Sequence, residues 1–349
     1  MIKVLVIDDS AVMRSFLGRV VAAQPDMALA GVVSDPLLAI DRIRRSAPDV
    51  ITLDVEMPRM NGLDFLRRLM AVRPLPVIMI SSLTREGAEA TFRALELGAV
   101  DFFPKPESLE ELEEVGADIA EKIRAASQAR VTRVPAVSPK APPPAIVRPV
   151  SSGAGGPEAI IGIGASTGGV EALRAVLPRF AKDIPPILIA QHMLPGFTGA
   201  FARRLDSLSE ITVKEAEDGE PAVQGVAYLA PGGRHLLLER RSAAYRLRLS
   251  DEPPVNRHRP SVDVLFRSMA AAAGPWAIGA LLTGMGADGA QALLELRRAG
   301  ASTLAQDEAT SIVYGMPRQA VVLGAAQEVL PLAGIAGRLA ELAAQSAQR

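Results

Sequence analysis

The sequence predicts an α/β protein of two doubly wound parallel-sheet domains joined by a connector. Three observations carry this. Short apolar runs alternate with segments of helical spacing over residues 1–126, and again over 158–349. Acidic or glycine-rich turns follow those apolar runs, at the carboxyl ends of strands where open parallel sheets bind ligands. Between the two segments the periodicity stops. Pro135, Pro139, Pro142, Pro143, Pro144 and Pro149 precede Ser151-Ser152-Gly153-Ala154-Gly155-Gly156, so residues 127–157 are expected to form an extended, mobile linker.

Composition narrows the function. The 349 residues suffice for two domains, and 49% hydrophobic with 22% charged residues is the balance of a soluble globular protein. A net charge of −1 gives no electrostatic reason to expect nucleic acid or an anionic membrane. The absence of cysteine excludes disulfides, thiolate catalysis and cysteine-ligated metal centres. Met1-Ile2-Lys3-Val4-Leu5 runs directly into an acidic turn and lacks a signal-peptide layout. The uncharged run 269–287 is broken by Pro275 and several glycines, which suits a buried strand better than a membrane span. A cytoplasmic protein without membrane insertion is the expectation.

In the first segment, strands are expected at 2–7, 29–33, 50–53, 77–80 and 100–103. Helices are expected around Val12, Phe16, Leu17 and Val20, and at 37–43, 63–70, 86–97 and 109–124. Strict alternation implies a parallel sheet covered on both faces. In the order 2-1-3-4-5, Asp8, Asp9 and Asp54 converge at neighbouring strand ends. Their repulsion calls for a cation, and hard oxygen ligands suit Mg2+. Ser81 ends the fourth strand and Lys105 follows the fifth, where a hydroxyl and an ammonium can hold phosphoryl oxygens. Any one of these residues reads equally well as an ordinary polar strand end or a surface lysine; it is the set that marks a pocket.

The set Asp8-Asp9, Asp54 in Leu53-Asp54-Val55-Glu56-Met57-Pro58, Ser81 and Lys105 resembles the response-regulator receiver domain, a flavodoxin-like fold. The resemblance implies Asp54 as phosphoacceptor, Mg2+ held by Asp8, Asp9 and Asp54, and Ser81 and Lys105 contacting the phosphoryl group. Phe102 stands at the family's aromatic switch position, without a tyrosine hydroxyl.

In the second segment, strands are expected at 159–163, 186–190, 212–215, 226–230, 277–282 and 302–306, the last of these closing the core. Helices are expected at 170–180, 199–208, 262–273, 290–298 and 333–348, with a hairpin pairing 236–239 with 245–249. Gly164-Ala165-Ser166-Thr167-Gly168 lies between the first strand and first helix and fits G-x-S-x-G, a serine on a sharp turn. It fits equally a glycine-rich turn with an incidental serine, or a dinucleotide loop opening on Gly162 and Gly164. Of three histidines, His192 lies just past the next strand, at the same sheet edge, and is the candidate base. His235 reads as an ordinary strand residue. His258 sits between Arg257 and Arg259, where substrate contact is as plausible as catalysis. Asp288, in a glycine-rich turn after a strand, is the candidate partner of the imidazole, or else a cap of the next helix. The chain order Ser, His, Asp differs from that of α/β-hydrolases. Gln191-His192 at the second strand end offers no ribose-binding acid, which weakens the dinucleotide reading.

Gly164-Ala165-Ser166-Thr167-Gly168-Gly169, Gln191-His192-Met193, Asn256-Arg257-His258-Arg259-Pro260-Ser261-Val262-Asp263 and Gly284-Met285-Gly286-Ala287-Asp288-Gly289 are similar to the chemotaxis methylesterase (CheB) family. The resemblance implies a Rossmann-like catalytic domain with Ser166, His192 and Asp288 as triad. It implies that the Met285 backbone N–H binds the oxyanion and that Thr167 supports it. Implied substrates are glutamate γ-methyl esters and selected glutamines of chemotaxis receptors; the implied phosphodonor is a chemotaxis histidine kinase. The esterase step would use no cofactor, the receiver would inhibit until phosphorylated, and the protein would be a monomer. Two rival readings are a phosphorylation-dependent adaptor without turnover and a DNA-binding regulator. Arg240, Arg241, Arg246 and Arg248 suit a solvated hairpin better than a DNA contact.

Overall fold

The computed structural model describes residues 1–82, 84–106, 109–131, 159–242 and 244–346. The chain divides into two compact units, Met1–Ala141 and Pro142–Arg349. Most of the expected linker, residues 132–157, lies outside the described residues, and Ser127 still belongs to the last helix of the first unit.

In the first unit, β1 (Ile2–Ile7), β2 (Met27–Val33), β3 (Val50–Asp54), β4 (Val77–Ser81) and β5 (Asp101–Pro104) form a parallel sheet in the order β2-β1-β3-β4-β5. The helices are α1 (Ala11–Ala22), α2 (Pro36–Ser46), α3 (Gly62–Val72), α4 (Arg85–Glu96) and α5 (Leu109–Ser127). Local chemistry starts them. The side chains of Ser10, Asp35, Asn61 and Thr84 each accept from a backbone N–H in the first turn of α1, α2, α3 and α4. Apolar spacing then chooses the buried face, as with Phe65, Leu66, Leu69 and Met70 of α3. In α1 the chosen face differs from the expected one by one residue. Met13 and Val21 join Phe16, Leu17 and Val20 in the core, and Val12 is 60% exposed. Each side chain taken fully out of water this way contributes about 1.5–3 kcal/mol.

The second unit is built on a seven-stranded parallel sheet in the order β14-β13-β12-β6-β7-β9-β8. Its strands are β6 (Ile160–Ala165), β7 (Ile187–Gln191), β8 (Thr212–Glu215), β9 (Val226–Leu229), β12 (Ala277–Leu281), β13 (Ser302–Gln306) and β14 (Glu328–Leu330). The helices are α6 (Gly169–Val176), α7 (Thr198–Asp206), α8 (Val262–Ala272), α9 (Ala290–Arg298), α10 (Met316–Val322) and α11 (Leu332–Ser346). β10 (His235–Arg241) and β11 (Ala244–Ser250) form the expected hairpin, antiparallel and apart from the main sheet. Its inner Leu236, Leu238, Tyr245, Leu247 and Leu249 share a core with Leu265, Phe266 and Met269 of α8.

Two expectations need correction. β13 is not the last strand of the sheet: the short β14 pairs beyond it, after a helix, α10, that the reading omitted. α6 ends at Val176, and a 3-10 turn, Leu177–Arg179, takes over where Pro178 cannot continue the helix. Residues 269–287 include the end of α8, a 3-10 turn (Gly274–Trp276) and β12. Among the described residues no helix is long and apolar enough to cross a membrane.

Chain order reverses across β6: β7 pairs on one side of it and β12 on the other. The carboxyl ends of these three neighbours therefore border one crevice. Helix α8 lies directly on β6, and glycine makes that approach feasible. A Cβ built on Gly162 would fall 2.4 Å from Met269 Sδ, and one on Gly164 would fall 2.2 Å from Val262 Cγ1. Gly164→Ala should therefore destabilise the second unit by about 1–3 kcal/mol. Urea unfolding followed by the fluorescence of Trp276, the one tryptophan of the chain, reads this unit alone; an unchanged midpoint would refute the tight contact.

Candidate active site and phosphoacceptor pocket

Ser166 follows β6 and His192 follows β7, and the 283–288 loop leaves the end of β12. The turn after Ser166 is made by Gly168, whose φ of 80° is left-handed and suits glycine. The structure brings the three expected residues together. Ser166 Oγ lies 3.1 Å from His192 Nδ1, and His192 Nε2 lies 2.8 Å from Asp288 Oδ2. An ionised Asp288 fixes the tautomer: Nε2–H donates to the carboxylate, and Nδ1 is left to accept from the serine hydroxyl.

Asp288 is only 3% exposed. Its Oδ1 accepts from Asn256 Nδ2 at 2.7 Å and Ser261 Oγ at 2.7 Å, and Oδ2 accepts from the Val262 N–H at 2.6 Å. Burial opposes the charge, but hydrogen bonds from His192, Asn256 and Ser261 outweigh it and hold the carboxyl well below the usual range. Asp288 does not cap α9. That task falls to Asp263 in the first turn of α8, whose Oδ1 accepts from the N–H groups of Gly289 at 3.0 Å and Ala292 at 3.1 Å.

The loop over Ser166 is pinned from several sides. Thr283 N–H donates to Gln306 Oε1 at 2.8 Å, and the Thr283 hydroxyl lies 3.0 Å from the Thr167 carbonyl. The Ser166 N–H donates to Thr283 O and the Gly284 N–H to Val313 O, each at 3.0 Å. A Cβ on Gly284 would lie 2.7 Å from Ser166 Cβ. The next N–H, that of Met285, has no hydrogen-bond partner among the described residues. Thr167 is buried beside Ser166.

In the first unit, Asp8, Asp9 and Asp54 bring carboxylate oxygens within 4.8 Å of one another. Asp8 Oδ1 accepts from the Ser10 N–H, and its buried Oδ2 has no partner among the described residues. Lys105 Nζ lies 2.7 Å from Asp54 Oδ2. Burial pushes Asp54 up to about 7, with the Asp8 charge adding to the rise and Lys105 opposing it; burial also raises Asp8. Hard oxygen donors, an orphaned buried oxygen and excess negative charge fit a divalent cation such as Mg2+. Ser81 stands at the end of β4 as expected, but its hydroxyl donates to Gly87 O at 3.0 Å, so contact with a phosphoryl oxygen requires it to rotate. Phe102 is buried edge-to-face against Phe92, ring centroids 6.4 Å apart.

Residues 161–339 match the model of the family described as CheB methylesterase, and residues 4–117 match that of the response regulator receiver domain. The chain belongs to the CheB methylesterase family. A "Protein-glutamate methylesterase/protein-glutamine glutaminase 3" of Burkholderia lata is 55% identical over 97% of this chain and 94% of its own. A "Protein-glutamate methylesterase/protein-glutamine glutaminase" of Pectobacterium atrosepticum is 53% identical over 100% of this chain and 99% of its own. The solved CheB methylesterase catalytic domain of Thermotoga maritima is 41% identical, with a TM-score of 0.52, covering 53% of this chain and 98% of that one.

Within this CheB-family site the sequence reading gave no role to three side chains and left His258 open between substrate contact and catalysis. Asn256 and Ser261 hold Asp288, and Asp263 holds the helix behind it. His258 lays its ring against His192, centroids 3.7 Å apart and planes at 20°. All but Asp263 lie on an irregular segment, where no periodicity gives direction. His235, read as a plain strand residue, is buried; its Nδ1 accepts from the Ser261 N–H and its Nε2 faces Pro253 O, each at 3.2 Å.

The charge on Asp288 has a stability consequence. A carboxyl held below its ordinary value of about 3.9 contributes stability in full above that pH, and loses it as pH falls through the lower folded value. Between about pH 5 and pH 2, wild type should thus lose stability more steeply than Asp288→Asn, read by Trp276 fluorescence in urea. Parallel slopes would mean that the carboxylate is not held as described.

Proposed function

We propose that this chain is a phosphorylation-activated serine hydrolase that demethylates glutamate γ-methyl esters, and deamidates glutamines, on chemotaxis receptors. The observation that carries the reading is the continuous hydrogen-bonded series Ser166–His192–Asp288 at one crevice of a family member. In this reading the protein works in the cytoplasm as a monomer.

Ser166 Oγ attacks the γ-carbonyl carbon while His192 Nδ1 takes the hydroxyl proton. Asp288 holds the Nε2–H and stabilises the imidazolium. The Met285 N–H, with Thr167 in support, meets the oxygen that becomes negative; one such donor is worth about 3 kcal/mol. His192 returns the proton to the departing methoxide or amide, and methanol or ammonia leaves. Water, deprotonated by His192, then cleaves the glutamyl–serine ester; His192 returns that proton to Ser166 Oγ, and the receptor's glutamate side chain is freed as a carboxylate. These steps use the protein's own groups.

In the first unit, Asp54 is the phosphoacceptor. Mg2+, when bound, neutralises charge on the phosphoryl oxygens, and Asp8, Asp9 and Asp54 would hold it. Lys105 pairs with the phosphoryl group after leaving the Asp54 carboxylate, and Ser81 turns from Gly87 to meet it. The donor is a histidine kinase. The added charge on Asp54 relieves an inhibition that the receiver exerts on the hydrolase, through the linker of residues 127–157.

Methanol release from methylated receptor membranes tests both halves. Ser166→Ala should lower the rate on the order of 10⁴-fold or more. A small phosphodonor should raise the wild-type rate, while Asp54→Ala or chelation of Mg2+ should abolish the rise and leave the basal rate. Methanol release at the wild-type rate from Ser166→Ala would refute the hydrolase; a phosphodonor effect that survives in Asp54→Ala would refute the switch.

A further inference from the structure

The buried carboxylate beneath His192 has a neighbour of the same charge. Asp263 is 4% exposed, and one amide nitrogen serves both: Asn256 Nδ2 lies 2.7 Å from Asp288 Oδ1 and 3.0 Å from Asp263 Oδ2. Each of its two protons is aimed at a different carboxylate. We propose that Asn256 is a positioning residue, which aims Asp288 at His192 by tying it to Asp263. This rests on the hydrolase reading above.

Asp288 needs an outside tie because it sits in a glycine-rich turn rather than on a strand or helix. Its Oδ2 faces His192 and the Val262 N–H; a turn of the carboxylate about its own axis would break the 2.8 Å contact with Nε2. Donors on Oδ1 resist that turn, and Asn256 is one of them. Asp263 is a firm anchor for the other end. It is fixed by the N–H groups that open α9 and by Arg267, whose Nη2 lies 3.2 Å from Oδ2. Without the amide between them, two buried like charges would face each other, which favours rotation or protonation of one.

The backbone supports a purposeful placement. Asn256 and Arg257 both have left-handed φ, 52° and 67°. Such values are uncommon outside glycine, and asparagine tolerates them better than most residues. The same corner delivers the His258 ring to the face of His192. A residue that served only to make this corner could be replaced by glycine without loss, which separates the two roles.

The test compares full-length wild type, Asn256→Gly and Asn256→Asp, with Ser166→Ala as control. Glycine keeps the left-handed backbone and deletes the amide; aspartate keeps the shape and replaces a donor with an acceptor. For Asn256→Gly, kcat for methanol release should fall about 10- to 100-fold with KM within about twofold. Asn256→Asp should lose more. The proton NMR signal of His192 Nε2–H should move or broaden in both. Wild-type kcat and an unchanged signal in Asn256→Gly, with Ser166→Ala inactive, would overturn the proposal and leave the hydrolase standing. Activity surviving in Ser166→Ala would instead refute the hydrolase, and the proton signal alone would then decide whether Asn256 orients the pair. Should the glycine variant fail to fold, a wild-type signal and kcat in the aspartate variant would overturn the proposal equally.

Discussion

An ionised carboxylate almost closed off from water, Asp288, sets the terms for the second unit. A buried charge left without partners costs several kcal/mol, more than the roughly 1.5–3 kcal/mol that any one charge-assisted hydrogen bond returns. Asp288 must therefore collect a full set of donors, and it does so from His192, Asn256, Ser261 and the Val262 backbone. That requirement brings residues 256–262 to the end of β12 and seats the first turn of α8 over the crevice. It also accounts for His235, which anchors the Ser261 backbone from the strand behind. Catalytic geometry and local folding are here one problem of charge compensation.

The first unit treats the same problem in the opposite way. Asp8 and Asp54 are buried, Lys105 pairs with Asp54, and an oxygen of Asp8 has no partner among the described residues. Asp288 has an abundance of donors and stays charged; Asp54 has too few, and its carboxyl is pushed up toward neutrality. A satisfied carboxylate is suited to orient a neighbour repeatedly without changing itself. An undersatisfied one is suited to accept new partners, first a cation and then a covalent group. Two aspartates with one side-chain chemistry thus take different roles because of the donors around them.

Much of this was legible in the sequence because parallel sheets place function at strand ends. Asp54, Ser81, Ser166 and His192 each end or follow an apolar run, so a one-dimensional pattern located them in three dimensions. Asp288 lies farther from its strand, and its glycine-rich turn left it open between a partner of the imidazole and a helix cap. The illegible part is the irregular stretch 253–261. Asn256 and His258 reach the site through left-handed turns, which leave no periodic trace. Asp263 caps a helix other than its own, a contact that sequence spacing does not encode. The short β14 escaped notice because three residues carry too little pattern.

The glycines of β6 have a mechanical consequence. With no side chain at positions 162 and 164, Met269 and Val262 rest on the strand itself. Val262 also gives its N–H to Asp288, and β6 leads straight into Ser166. Ser166 and the Val262 N–H that holds Asp288 are therefore kept in register by one close contact between strand and helix. A displacement of α8 along the strand would therefore reach Asp288 and Ser166 together rather than one of them alone.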